Sequence, residues 1–246
     1  MTETNNDDLL FYSTISYCIN NHDLLTPELF KNIHYNLIIT GTIGVGKTTI
    51  LKLIDNILKF KRITVHKYLE YINYNHVGQD LFQMKMNNKV SAFTFQNYIL
   101  DIWDNLLNEN EYSTSKGINI FERIPYDAVY CFSQKEYQNG NITKNEYDII
   151  IERYKNIINK HNMFEYDNTV KYSKINNDDI IKTITDIFNI IIDDVKNGIT
   201  KRCICLNIDN NNVYYSRLGI RNRTDEDKYT QKILEDYKTY YSSNFN

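Results

Sequence analysis

The chain has 246 residues, which suits one large domain or one domain carrying an insertion. Its formal net charge is −3 and its pI is near 6.0, so no overall basic field favours a nucleic-acid partner. It shows neither an 18-residue apolar run nor a secretory leader, so we expect a cytoplasmic protein without a membrane partner. Its four cysteines lack metal-ligand spacing, which predicts buried, reduced thiols.

The first 34 residues are predicted to form an N-terminal extension to a domain that spans residues 35–246. Within the extension, Thr26-Pro27-Glu28 is typical of an N-cap followed by proline at the first helical position. We therefore expect a short helix that ends near Ile33. The apolar run Leu37–Ile39 then predicts a buried parallel strand.

A glycine-rich loop follows this strand directly. It reads Gly41-x-x-x-x-Gly46-Lys47-Thr48, and a helical apolar pattern begins at Ile50. The order strand, glycine loop, helix is the context of a P-loop, in which backbone N–H groups and a helix N-terminus bind phosphate. Lys47 is expected to reach the outer phosphates and Thr48 to hold Mg²⁺. The residues expected to bind the nucleotide here are Gly41, Thr42, Gly44, Gly46, Lys47, Thr48 and Thr49.

The middle of the chain predicts two further strands, each followed by charged residues. Arg62–Leu69 is the second strand and ends at Glu70, and Gly117–Phe121 is the third and ends at Glu122-Arg123. Between them, residues 79–112 are predicted to be helical with a break near Asn87. Ligands of open α/β sheets bind at the carboxyl ends of the strands, so Glu70 is a candidate site residue.

The last third predicts helices around a fourth strand. Thr143-x-x-Glu146 is a capping box that opens a helix, residues 178–197 form an amphipathic helix, and Arg202–Ile208 is the strand. Residues 163–200 are interpreted as an insertion, in which Thr169–Ser173 is a weak candidate for an edge strand. Alternating strands and helices predict an α/β fold, a parallel sheet of four to five strands with helices on both faces.

Several side chains suit phosphoryl transfer to a hydroxyl group. Glu70 is placed to act as the base that accepts the hydroxyl proton. Charge on the transferred phosphoryl group requires converging cations, and arginine suits phosphate oxygens better than lysine does. The candidate cations are Arg123, Arg217, Arg221 and Arg223. Gln96 offers a donor and an acceptor to a nucleobase edge, and Phe95 and Phe132 could enclose the ring.

Four clusters after the P-loop, in this order, resemble the deoxynucleoside kinase family. They are Leu69-Glu70, Phe93-Thr94-Phe95-Gln96-x-Tyr98, Glu122-Arg123-x-x-Tyr126 and Arg217-x-x-x-Arg221-x-Arg223-x-Asp225-Glu226. The likeness covers about Tyr35 to Tyr241 and implies the P-loop kinase fold with an arginine-rich lid. It also implies ATP- and Mg²⁺-dependent phosphorylation of a deoxynucleoside 5′-hydroxyl in nucleotide salvage, and a homodimer.

The resemblance assigns roles to individual residues. Glu70 matches the general base, Gln96 the glutamine that pairs with the base edge, and Glu122 the acid that helps to hold Mg²⁺. Arg123 matches the arginine beside the 5′-hydroxyl. In the lid, Arg217, Arg221 and Arg223 match the arginines over the donor, and Glu226 matches the acid that reaches the sugar 3′-hydroxyl.

Departures from the family pattern bear on the acceptor. Lys85 stands where a tyrosine is usual, and Ile124 replaces the serine after Glu-Arg. Trp103 and Ala128 occupy the two positions at which cytidine-selective members carry a charged pair. The resulting space beside Ala128 favours a methyl-bearing base, so thymidine is the expected acceptor.

Two alternatives remain open. The first is a nucleoside monophosphate kinase of the thymidylate kinase type, with Lys85 as a cation near the acceptor phosphate. The second is a non-catalytic nucleotide sensor, against which Glu70, Glu122 and Arg123 together argue.

Overall fold

The structure is a computed structural model, and it describes residues 13–17, 20, 22–70, 76–166 and 169–208. Within these ranges, five strands form one sheet in the order β2-β3-β1-β5-β4, and every neighbouring pair is parallel. The strands are β1 (His34–Gly41), β2 (Val65–Tyr68), β3 (Gly117–Glu122), β4 (Lys171–Asn176) and β5 (Lys201–Asn207). The strand that leads into the P-loop therefore lies at the centre.

Seven α-helices in the described residues between Pro27 and Lys196 flank or connect the strands. They are α1 (Pro27–Phe30), α2 (Lys47–Phe60), α3 (His76–Met86), α4 (Ala92–Glu109), α5 (Gln134–Gln138), α6 (Lys144–His161) and α7 (Ile180–Lys196). A 3₁₀ turn at Tyr112–Thr114 precedes β3, and a π-helix at Asp127–Ser133 precedes α5. The predicted capping box of α6 is confirmed, because Thr143 Oγ1 accepts from the Glu146 N–H while the Glu146 carboxylate accepts from the Thr143 N–H.

Side chains alternate between two hydrophobic layers, as the pleat of a strand requires. On β1, Ile38 packs with α4, α6 and the π-helix on one face, whereas Leu37 and Ile39 pack with α2 and α7 on the other. On β5, Cys203 and Cys205 join the first layer and Ile204 the second. The sheet is thus covered on both faces, and the predicted α/β fold class is confirmed.

The edge strand comes from the segment for which the sequence predicts an insertion. Residues 163–200 contribute β4 and α7, so the sheet gains its fifth strand before β5 in the chain. Only Ile175 is buried on β4, because an edge strand has one neighbour and tolerates polar residues along its length. This explains why the sequence signal for the strand is weak.

The described cysteines agree with a further expectation. Cys131, Cys203 and Cys205 are buried free thiols, while Cys18 lies outside the described residues. No described helix combines the length and apolar character needed to cross a membrane. The boundary between an extension and the kinase domain at residue 34 stays a prediction.

Candidate active site

The P-loop connects the carboxyl end of β1 to the N-terminus of α2. Gly41 has a φ of +133°, and a Cβ atom there would lie 2.5 Å from the carbonyl oxygen of Leu206 on β5. Gly46, the N-cap of α2, has a φ of +91°. Both positions require glycine, so the loop passes close to its neighbouring strand and turns its backbone into the helix. The structure places Gly41, Thr42, Gly44, Gly46, Lys47, Thr48 and Thr49 together in this loop and the first turn of α2.

Lys47 lies inside the loop rather than in solvent. Its side chain is buried, and Nζ donates to the carbonyl oxygens of Gly41, at 3.2 Å, and Thr42, at 2.9 Å. A buried ammonium needs such partners because burial disfavours an isolated charge. The side chain is thereby held inside the loop, and its contact with an outer phosphate stays a prediction.

Thr48 and Glu122 bring two side-chain oxygens together at the ends of neighbouring elements. The Thr48 hydroxyl donates to Glu122 Oε1 at 2.8 Å, and Glu122 ends β3 directly beside Ile39 of β1. Burial raises the pKa of the Glu122 carboxyl, and the nearby Glu70 charge raises it further, against the opposing effects of Lys47, Thr48 and Arg123. A hydroxyl and a carboxylate oxygen fit Mg²⁺, and a bound cation would stabilise the ionised form of Glu122.

Arg123 connects the base candidate to the P-loop. Its guanidinium forms an ion pair with Glu70, donates to the Gly41 carbonyl oxygen at 3.3 Å, and lies 5.2 Å from the centre of the Phe132 ring. Its backbone N–H donates to Ile39 at 3.1 Å, although its φ is +66°, a conformation that is costly for arginine. Strands β2 and β3, which run side by side, bring the acid and the arginine to the same edge of the sheet.

The acceptor candidates lie on α4 and on the π-helix, on one face of the sheet. Phe95 and Ala128 are buried in the hydrophobic layer between α4, α6 and the sheet. Gln96 is only 3% exposed, and its Oε1 has no hydrogen-bond partner among the described residues. Because a buried amide oxygen is rarely left unpaired, Gln96 is available for a ligand that can donate to it.

Two predicted acceptor residues have partners within the protein. Trp103 is buried, and its ring lies 6.4 Å from that of Phe121 in a stacked arrangement. Lys85 forms a 2.5 Å ion pair with Glu136 of α5. The lid candidates Arg217, Arg221, Arg223 and Glu226 lie outside the described residues.

The structure also reveals polar residues that the sequence analysis missed. Asp127 is fully buried and accepts hydrogen bonds from the Thr40 hydroxyl, at 3.4 Å, the Ile124 N–H, at 2.9 Å, and the Tyr166 hydroxyl, at 3.0 Å. Burial raises its pKa against these donors. Its place five residues after Glu122, where β3 has just ended, is a signal that could have identified it.

Asn177 is the second missed residue and follows β4. Its Nδ2 donates to the carbonyl oxygen of Val45 in the P-loop at 2.8 Å, and its backbone N–H donates to Asn207 at 2.7 Å. No local pattern predicts this contact, because Asn177 and Val45 are 132 residues apart in the chain. The edge strand thus supports the nucleotide loop.

Comparisons with known proteins agree with this geometry. A family model described as deoxynucleoside kinase matches residues 37–184. Among solved structures, a deoxyadenosine kinase from M. mycoides, determined with bound dATP, superposes with a TM-score of 0.50 at 17% sequence identity. The match covers 85% of this chain and 83% of that one, and at this identity it concerns the fold. Since the family model covers more than half of the chain, from the P-loop strand to the start of α7, this protein belongs to the deoxynucleoside kinase family.

Proposed function

We propose that this kinase transfers the γ-phosphoryl group of ATP to the 5′-hydroxyl of a pyrimidine deoxynucleoside, with thymidine favoured, in nucleotide salvage. The observation that carries the proposal is the ion pair between Glu70 and Arg123 beside the P-loop. It joins a carboxylate suited to receive a proton to a guanidinium suited to stabilise phosphoryl charge, next to the loop that encloses the donor.

The proposed reaction assigns one role to each charged group. Glu70 accepts the proton of the 5′-hydroxyl while that oxygen bonds to the γ-phosphorus and the bond to the β-phosphate oxygen breaks. The ion pair with Arg123 holds the Glu70 carboxylate beside the P-loop, where it can accept the proton. Lys47 stabilises the outer phosphates of the donor. Mg²⁺, held through Thr48 and Glu122, would neutralise charge on the same phosphates.

Gln96 and Ala128 support a pyrimidine acceptor. The unpartnered Gln96 oxygen can accept from thymine N3–H while the amide nitrogen donates to O4. Apart from glycine, alanine is the smallest residue that could stand at position 128. Burial of the thymine methyl against the Ala128 methyl contributes about 0.8 kcal/mol. The indole of Trp103 packs on Phe121, which supports an interpretation in which it borders the pocket rather than fills it.

The lid and the quaternary structure belong to the same proposal. We place Arg217, Arg221 and Arg223 over the donor phosphates and Glu226 at the sugar 3′-hydroxyl, in line with the family pattern. We also expect a homodimer. Phe95 and Phe132 are the proposed walls around the base.

The alternative, a nucleoside monophosphate kinase, requires a cation for the acceptor phosphate. Lys85 is the candidate, but its ammonium is already neutralised by Glu136 at 2.5 Å. A new phosphate would have to displace that carboxylate or be repelled by it. The pair therefore favours a nucleoside over a monophosphate as acceptor.

The deciding experiment is an acceptor screen with radiolabelled ATP and Mg²⁺. We expect kcat/KM for thymidine to equal or exceed that for deoxycytidine, and both to exceed those for the two purine deoxynucleosides. Ala128→Asp should lower kcat/KM for thymidine more than for the other deoxynucleosides. Ala128→Val adds volume without charge, so it separates the effect of volume from the effect of charge. A purine preference would overturn the base assignment, and transfer of label to thymidine monophosphate alone would favour the alternative.

A further inference from the structure

A second cavity lies at the amino-terminal edge of the sheet, opposite the P-loop. Its volume is about 520 Å³, within the range of small-molecule sites, and it is lined by side chains that include His34, Asn36 and Lys201. His34 opens β1 and Lys201 opens β5, whereas the P-loop follows the other ends of these strands. With eight residues in β1, the two sites are roughly 23 Å apart.

Asn36 is a buried amide without a partner. It is 2% exposed, and its Oδ1 is buried with no hydrogen bond from any residue in the described ranges. Rotation of the amide by half a turn exchanges its oxygen and nitrogen, so the side chain can present either atom to the cavity that it lines. In either orientation, a ligand atom of matching donor or acceptor character would pair with the amide atom that faces the cavity.

A polar frame holds the floor of this cavity in place. His34 Nδ1 lies 2.7 Å from the carbonyl oxygen of Ser115, and Ser115 Oγ donates to Asn119 Oδ1 at 3.0 Å. Asn119 is the direct neighbour of Asn36 in the pairing of β3 with β1. These contacts fix the side chains around Asn36 but leave its own amide unpaired.

The rim of the cavity carries more positive than negative charge. Lys116 is exposed at the rim, and the contact it makes through its backbone, 3.1 Å from its carbonyl oxygen to His66 Nε2, leaves its side chain toward solvent. The Lys201 ammonium contacts the Thr169 hydroxyl at 3.1 Å and lies 5.6 Å from the centre of the Phe164 ring. Glu165 is the lining carboxylate, and it already accepts the Tyr154 hydroxyl at 2.7 Å. The two ammonium groups therefore suit an anionic ligand.

We propose that this cavity is a second ligand site, distinct from the kinase centre, for a mononucleotide. The hydrogen-bonding edge of the base pairs with the Asn36 amide, and the phosphate lies at the rim with Lys116 and Lys201. A nucleobase edge provides the adjacent donor and acceptor that an asparagine amide matches, and phosphate matches the ammonium rim.

Calorimetric titration of the full chain with the four deoxynucleoside monophosphates, and separately with inorganic phosphate, tests this site. A binding component should persist in Lys47→Ala, which disables the P-loop, and weaken at least tenfold in Asn36→Ala and in the double variant Lys116→Ala/Lys201→Ala. Lys155→Ala, which removes an exposed lysine on α6 outside the lining, is the matched control and should bind as the wild type does.

The rim double variant still tests the site if Asn36→Ala fails to fold, because Lys116 is exposed while Asn36 is buried in the central strand. Unchanged binding in the rim double variant, or loss of all binding in Lys47→Ala, would overturn the proposal. If inorganic phosphate binds as tightly as all four mononucleotides, the base contributes nothing to affinity. That result would overturn the contact between the base and Asn36. None of these readouts requires kinase turnover, so failure of the proposed acceptor specificity would be seen separately.

Discussion

Arg123 shows at the scale of one residue how the site is pre-organised. Its left-handed backbone conformation costs roughly 1–2 kcal/mol for a residue with a Cβ atom. The cost is offset by its N–H bond to Ile39 and by guanidinium contacts with Glu70, Gly41 and Phe132. A lysine could not make the same set of contacts, since it lacks the planar fork. The arginine therefore holds Glu70 and the P-loop in one fixed relation.

Glu70 and Lys47 should separate chemistry from donor binding. Glu70→Gln is expected to lower kcat by roughly 10²–10⁴-fold, because the proton acceptor is removed, while the affinity for ATP changes little. Lys47→Ala should also reduce turnover, but it should weaken the binding of ATP as well, because the Lys47 ammonium lies inside the loop. Steady-state kinetics together with fluorescent ATP-analogue binding measure both quantities. Near-full kcat in Glu70→Gln would show that another group is the base.

Glu122→Gln should be more stable than the wild type at neutral pH but far less active. The folded protein raises the pKa of this carboxyl, so ionising it opposes folding. This free-energy cost is absent below the pKa of a glutamate in the unfolded chain, about 4.3. It grows as the pH rises toward the pKa of Glu122 in the folded protein. The amide keeps an acceptor for the Thr48 hydroxyl but binds Mg²⁺ poorly.

Thermal unfolding of both proteins between pH 4 and pH 8 checks this prediction. The advantage of the glutamine variant should be smallest at pH 4 and largest near pH 7. If the variant is instead the less stable protein at pH 7, the attraction of Lys47 and Arg123 for the Glu122 charge outweighs its burial.

At the scale of secondary-structure elements, β4 connects the edge of the sheet to the nucleotide loop. The strand pairs with β5 along its whole length, and Asn177 then follows it to reach Val45. The Asn177 Oδ1 is also buried without a partner in the described ranges. Its side chain thus lies between the end of the sheet and the P-loop.

Asn177→Ala should raise KM for ATP by about three- to tenfold, because one buried hydrogen bond contributes roughly 1 kcal/mol to the loop conformation. KM for the deoxynucleoside and the far-UV circular dichroism should stay unchanged. Asn189→Ala, an exposed asparagine on α7, serves as the control. Equal increases in both KM values would mean that the residue supports the whole fold and not the loop in particular.

These elements differ in how well sequence predicts them. The P-loop and the capping box of α6 depend on residues within eight positions of one another, so local spacing identifies them. Strand β4 is different, since Ile175 is its one buried residue and its place is set by pairing with β5. Likewise, the contact of Asn177 with Val45 and those of Asp127 with Thr40 and Tyr166 come from distant segments. The pairing of Lys85 with Glu136 is set by the packing of two helices and has no signature of its own.

At the scale of the whole molecule, a buried network joins α7 to the centre of the sheet. Asp194 accepts the Tyr35 hydroxyl at 2.8 Å and Arg202 Nε at 2.8 Å. Burial raises the pKa of the Tyr35 hydroxyl well above its usual value, and the Asp194 charge adds to that shift. Tyr35 lies on β1 and Arg202 on β5, near the ends of these strands that are remote from the P-loop. The network is therefore a stability feature placed away from the chemistry.

Asp194→Ala should lower stability by about 3–5 kcal/mol, because it leaves the buried Tyr35 hydroxyl and the partly buried Arg202 guanidinium without their shared acceptor. For a chain of this size that corresponds to a fall in Tm of roughly 6–20 °C. At a temperature where both proteins are folded, kcat/KM should equal the wild-type value, since the catalytic groups lie at the opposite end of β1. Asp193→Ala removes an exposed neighbouring carboxylate and should shift Tm by no more than about 2 °C. Calorimetry and the ATP-coupled assay on the same samples measure both properties. A variant that keeps its Tm but loses activity would place this network in the catalytic machinery, against the separation argued here.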